Sequence, residues 1–211
     1  MSVDIPAGGY ETHLTVAATT NVEALEGWAH DHGYKFGHIV LDRGETPSQP
    51  MLTRGGRGQL AEQVEIARGA ARELGGDGFE VVRVKVEAKT SNDGVPVTDE
   101  DAHAGDPTLY FEHHVKVILQ NEEQIPVLAD AVKAHGARLS RNARRTRSDG
   151  CQERFITQRC YHMGRTSAKG ELAALLKAID GYEVAEIEEE YVLFDDNLSV
   201  DSGWLDAAPS R

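Results

Sequence analysis

Two short patterns carry a carboxylate and an imidazole at the same spacing: Glu11-x-His13 and Glu112-x-His114. Residues two apart share one face of an extended strand. Side by side, such groups can hold a hard divalent cation on oxygen, or offer imidazole as a general base near neutral pH. The same alternation places Arg83, Lys85 and Glu87 on one face of a later strand, and Glu186, Glu188 and Glu190 on one face of another. A second concentration of charge is basic. Between Arg138 and Arg165 eight arginines stand against Asp149 and Glu153, a local balance of +6 in a chain of net charge −13, leaving −19 elsewhere. Guanidinium groups grip phosphate oxygens bidentately and stabilise charge that builds in a transition state. The pattern predicts His13 and His114 as catalytic residues and Lys116, Arg144, Arg147 and Arg159 as substrate-binding residues. Glu112, Glu188 and Glu190 are the expected ligands of Mg²⁺ or Mn²⁺.

These residues need elements to position them, and the hydrophobic periodicity supplies a repeated set. Strands are predicted over 11–18, 34–42, 51–54 and 79–88, with helices over 22–32 and 59–74. Gly33 and the Gly75-Gly76 pair stop the helices. After a stretch rich in Asp, Gly, Ser, Thr and Pro, the order recurs. Strands over 109–119, 138–145, 154–161 and 182–194 enclose helices over 122–135 and 168–179. Each half reads βαββαβ, the ferredoxin-like pattern. The expectation is therefore an α+β chain of two tandem ferredoxin-like units, residues 1–90 and 108–195. A linker over 91–107 joins them and a tail over 196–211 follows. In each unit the helices cover one sheet face, so the two open faces are expected to form a shared polar cleft or tunnel. The alternative for those faces is simple solvation.

The second half also resembles a known family. Glu112-His113-His114-Val115-Lys116 is similar to the ExExK strand of the triphosphate tunnel (CYTH) metalloenzymes, with His114 in place of the middle Glu. Arg144 and Arg147 fall where that family has an LRxR-type strand. Phe155-Ile156-Thr157-Gln158-Arg159 resembles its FLTxK-type strand, and Glu186-Ile187-Glu188-Glu189-Glu190 its acidic closing strands. The resemblance implies a tunnel built of paired ferredoxin-like units. A lesser resemblance, to the two-histidine phosphoesterases, rests on His13-Leu14-Thr15 and His114-Val115-Lys116.

Composition limits the remaining choices. Apolar residues make up 40% of the chain, enough to bury a core, so wholesale disorder is excluded. No apolar run approaches the ~18 residues of a membrane span, and residues 1–9 lack a signal peptide's pattern. With only Cys151 and Cys160, a disulfide scaffold is excluded and a reducing cytoplasm is expected. The acidic balance repels long polyanions, so nucleic acid and membrane are disfavoured as partners and a small anionic ligand is favoured. Gly55-Gly56-Arg57-Gly58 reads as a flexible loop before a helix, with a phosphate cradle as the sharper alternative. His113 falls on the apolar side of its strand, as a core histidine. The functional expectation is metal-assisted binding, with hydrolysis, of a phosphorylated small molecule such as a nucleotide or polyphosphate. The alternative is a non-catalytic anion- or protein-binding module.

Overall fold

Alternating side chains and local capping set the elements of the computed structural model, which describes residues 8–144 and 147–205. The chain runs β1 (Gly8–Val16), α1 (Val22–Asp31), β2 (Lys35–Leu41), β3 (Ser48–Gly58), α2 (Leu60–Gly76), β4 (Val81–Lys89) and α3 (Asp99–Ala104). It continues through β5 (Tyr110–Leu119), α4 (Gln124–Lys133), β6 (Arg138–Asn142), β7 (Gln152–Tyr161), α5 (Arg165–Ala178) and β8 (Glu183–Asp195) to a 3-10 turn at Leu198–Asp201. Asn21 opens α1 by accepting from the Ala24 amide, and Gly33 ends it at φ +72°, a conformation costly for residues with a Cβ. The strand expected over 138–145 ends at Asn142, and its last residue, Arg145, lies outside the described residues.

Within each half, the first strand is central. β1 pairs with β3 and β4, and β5 pairs with β7 and β8, all antiparallel. Leu14, Leu52, Val84 and Val86 face α1 and α2, burying Leu25, Trp28, Ala67 and Leu74 among them. Val115, Val117, Leu139 and Ile156 do the same with Leu128 and Val132 of α4 and Leu172 and Leu175 of α5.

The expected pair of open-faced ferredoxin-like sheets around a cleft or tunnel is not what forms. β2 pairs with β6, from Ile39↔Asn142 to Leu41↔Ser140, and β4 pairs with β8, from Lys85↔Asp195 to Lys89↔Glu190. The eight strands close into one antiparallel barrel in the order β1-β3-β2-β6-β7-β5-β8-β4. The physical reason is the strand edge. Two four-stranded sheets leave four edges with unpaired backbone groups, and joining them edge to edge satisfies these groups while turning both polar faces inward. The tunnel implied by the family resemblance is likewise replaced, because one end is plugged. The Trp204 indole donates to the Leu139 carbonyl at 3.0 Å and packs with Leu41 and Leu205, and Asp201 reaches the interior.

Two further segments differ from expectation. The third strand is longer than 51–54, because β3 stays paired with β1 through Gly58↔Gly8. The Gly55–Gly58 run is therefore strand, not a phosphate loop, and Gly56 is where Gln63 packs. The linker carries α3, and Asp99 caps α5 by accepting from the Gly164 amide at 2.8 Å and the Ser167 hydroxyl at 3.0 Å. No helix among the described residues is long and apolar enough to cross a membrane.

Candidate functional site

The polar faces of the strands meet inside the barrel, around a cavity of about 410 Å³. Its depth is an ion-paired network. Lys85 Nζ lies 2.7 Å from Glu87 Oε1 and 2.6 Å from Glu112 Oε1. Arg159 donates to Glu112 Oε2 at 2.5 Å and to Asp201 Oδ2 at 2.6 Å. Arg83 donates to Asp195 and, at 2.8 Å, to the same Asp201 oxygen. Tyr110 donates its hydroxyl to Asp195 at 2.9 Å. All three cations are thus committed to carboxylates, as burial at this depth requires.

Toward the open end lie the two imidazoles. His13 Nδ1 is 2.9 Å from Thr53 Oγ1, and its Nε2 is 2.6 Å from Glu87 Oε2. His114 repeats this with Nδ1 at 3.1 Å from Thr157 Oγ1 and Nε2 at 3.2 Å from Glu112 Oε1. Two groups of candidate ligands result, Glu11–His13–Glu190 and Glu87–Glu112–His114, each with its ligand atoms within 4.8 Å of one another. A threonine on the far ring nitrogen holds each imidazole's orientation, as outer partners do for metal-ligating histidines. A further cavity of about 860 Å³ shares Glu11, Glu188 and Glu190 with the interior, so this end is reachable from solvent.

Burial and charge set the protonation states. Burial works against the Glu87 and Glu112 carboxylates, but Lys85 beside both, Arg159 beside Glu112 and His13 beside Glu87 outweigh it and hold both low. Burial, and then the Glu87 charge, push Glu190 the other way, well above the usual carboxylate range. A carboxyl held high beside one held low is what two neighbouring acids that resist ionising together produce. Burial pushes the Cys160 thiol up to about 12, so it is an inert core thiol.

The structure brings His13, His114, Glu112, Glu188, Glu190 and Arg159 to one cavity and leaves Lys116, Arg144 and Arg147 out of its lining. Glu188 lines the mouth opposite His114 but is exposed and in neither ligand group. Lys116 is spoken for by Glu153 at 3.1 Å. Arg144 and Arg147 lie in the exposed β6–β7 connection, paired with Glu26 and Asp149. Arg159 sits seven residues along β7 from Gln152, roughly 23 Å at ~3.3 Å per residue, so the three arginines do not converge. The expected anion grip is thus not assembled from them. His113 is buried with Nδ1 3.0 Å from Gln158 Oε1, while its Nε2 has no hydrogen bond. Glu11, Glu87, Thr53, Thr157 and Asp201 complete the interior. Alternation already put Glu11 and Glu87 on the right face, whereas nothing local marks Asp201.

No protein-family model matches the sequence, and no curated protein matches it. Solved structures with a similar course include the small subunit of acetolactate synthase from Thermotoga maritima, at 15% identity and TM-score 0.28, over 90% of this chain and 96% of that one. The regulatory subunit of aspartate kinase from Thermus thermophilus matches at 15% identity and TM-score 0.31, over 84% and 97%. Chlorite dismutase from Candidatus Nitrospira defluvii matches at 10% identity and TM-score 0.30, over 88% and 91%.

Proposed function

We propose that the chain is a metal-assisted hydrolase of a small phosphorylated molecule, with the reaction at the open end of the barrel. One observation carries the reading: two imidazoles and the carboxylates Glu11, Glu112 and Glu190 line a solvent-reachable cavity, with Glu87 buried behind His13 and the buried cations already neutralised. Such an interior attracts a cation, not a phosphate. A divalent cation held there reverses the local charge and presents a Lewis acid to a phosphate oxygen. The cavity volume of about 410 Å³ suits a ligand of nucleotide size or smaller. The imidazole not spent on the cation would serve as the base that takes a proton from water.

The test is phosphate release from nucleoside triphosphates, polyphosphate and cyclic phosphodiesters with Mn²⁺ or Mg²⁺. Turnover that requires the cation and falls about 100-fold or more in His13→Ala and His114→Ala supports the reading. Absence of turnover from every substrate overturns it. The second reading is a non-catalytic binder, favoured by the full pairing of Arg83, Lys85 and Arg159. It gains if phosphates bind the cation-loaded protein and remain intact.

A further inference from the structure

The two halves repeat the site by register. His13 pairs across to Thr53 as His114 does to Thr157, and Glu11 pairs to Glu87 as Glu112 does to Glu190. Each ligand group is one Glu-x-His strand plus a glutamate from the closing strand of the other half. The equivalence breaks at two positions. Opposite His13 stands Lys85, where His114 has Glu188; opposite Glu112 stands Arg159, where Glu11 has Gly55. Both cations attend the same group. The Lys85 ammonium sits between Glu87 and Glu112, and Arg159 holds the second Glu112 oxygen.

We infer that Glu11, His13 and Glu190 form a site for a single divalent cation, and that the Lys85 ammonium is the built-in cation of the equivalent Glu87–Glu112–His114 pocket. The inference rests on the metal in the proposed function and names which group takes it. The ammonium shows the pocket geometry accepting a cation where the chain supplies one, and the matching pocket carries Gly55 and Glu188 instead. His13 Nε2, now facing Glu87 Oε2 at 2.6 Å, is the nitrogen the cation would take, with Glu87 left as a further oxygen neighbour. Carboxylate oxygens with one imidazole suit Mn²⁺ or Fe²⁺ better than a soft-ligand metal. Glu11 is 36% exposed at its side chain against 2% for Glu112, so the first group offers a carboxylate to an ion from solvent where the second offers the His114 imidazole, at 26%.

Titrating the full chain with Mn²⁺, by calorimetry and by the loss of the free-ion EPR signal, tests this. One Mn²⁺ per chain is expected, weakened at least 10-fold by His13→Ala and by Glu190→Gln, and retained in His114→Ala. In Lys85→Met a second equivalent should bind and broaden the EPR spectrum by spin coupling. Should Lys85→Met fail to fold, the contrast between His13→Ala and His114→Ala decides alone. Two equivalents in the unaltered chain, or loss in His114→Ala with retention in His13→Ala, overturns the inference. No binding at all overturns both the inference and the metal of the proposed function. One site without phosphate release upholds the inference and removes only the hydrolase reading.

Discussion

Asp201 shows how much one side chain decides in this interior. A single oxygen accepts from Arg83 at 2.8 Å and Arg159 at 2.6 Å, while the other accepts from Gln49 at 3.1 Å. Removing one member of a buried ionic network leaves the rest uncompensated. Asp201→Asn should therefore cost about 3–5 kcal/mol of unfolding free energy, measured by chemical denaturation. The same residue sets a pH dependence. Burial opposes its ionisation, but Arg83 and Arg159 prevail and hold Asp201 low; Asp195 is held low against its own burial by Arg83. For carboxylates depressed in the folded state, the stabilisation is present above the unfolded value, near ~3.9, and disappears as pH falls through the folded values. Midpoints of thermal unfolding should thus be flat on this account above about pH 5 and drop below about pH 4. A drop equally steep in Asp201→Asn would show that Asp201 is not its source. Residue-level chemistry was partly legible in the sequence. Alternation alone put Glu11, His13, Glu87, Glu112 and His114 on inward faces. It misjudged Arg144 and Arg147, because charge density along the chain is not charge density in space: a hairpin end carries them away from the cavity. Asp201 was illegible, since only tertiary docking of Trp204 brings it inside.

Elements depend on contacts that single residues permit. A Cβ on Gly164 would lie 2.2 Å from the Thr98 carbonyl carbon and 2.4 Å from its oxygen. Both are backbone atoms, so nothing flexible can give way. Gly164→Ala should separate α3 from the start of α5, breaking the Arg165 amide's bond to Pro96 O and the Asp99 cap. A loss of about 2–4 kcal/mol is expected, and faster amide exchange confined to residues near 96–104 and 164–168 would locate it. An unchanged midpoint would mean that the two segments do not touch as described. Gly56 differs, because its Cβ would meet the flexible Gln63 side chain at 1.8 Å. Gly56→Ala should cost only the Gln63 bond to Arg57 O, about 1 kcal/mol. Most helices and strands were readable from periodicity, although α3 was not and the expected Gly75-Gly76 stop lies within α2, whose end is followed by Gly78 at φ +87°. The Gly55–Gly58 stretch was not readable either, since glycine signals a turn locally while the β1 ladder holds it extended.

At the scale of the whole molecule, the repeat of element order was visible in the sequence and the closure was not, because pairing between edges leaves no local mark. β2 with β6 and β4 with β8 join residues about a hundred positions apart, at strands whose own composition is that of any edge. Closure also removes the expected boundary between two domains. Phe111, Cys160, Ala168 and Tyr191 of the second half sit in the same buried cluster as Leu14, Leu52 and Val84 of the first. Trp204 bridges the halves again, bonded to Leu139 and packed on Leu41. Neither half can unfold without exposing that shared apolar surface and the backbone groups of both seams, along with the ion pairs of Lys85 and Arg159 that cross the interior. The chain should consequently unfold in one transition. Calorimetric and van't Hoff enthalpies should agree, and far-ultraviolet dichroism should share one midpoint with fluorescence from Trp28 in the first half and Trp204 at the seam. Two resolved heat-capacity peaks, or a Trp28 transition several degrees from that of Trp204 in Trp204→Phe and Trp28→Phe variants respectively, would mean that the halves are separate domains resting against each other rather than one closed barrel.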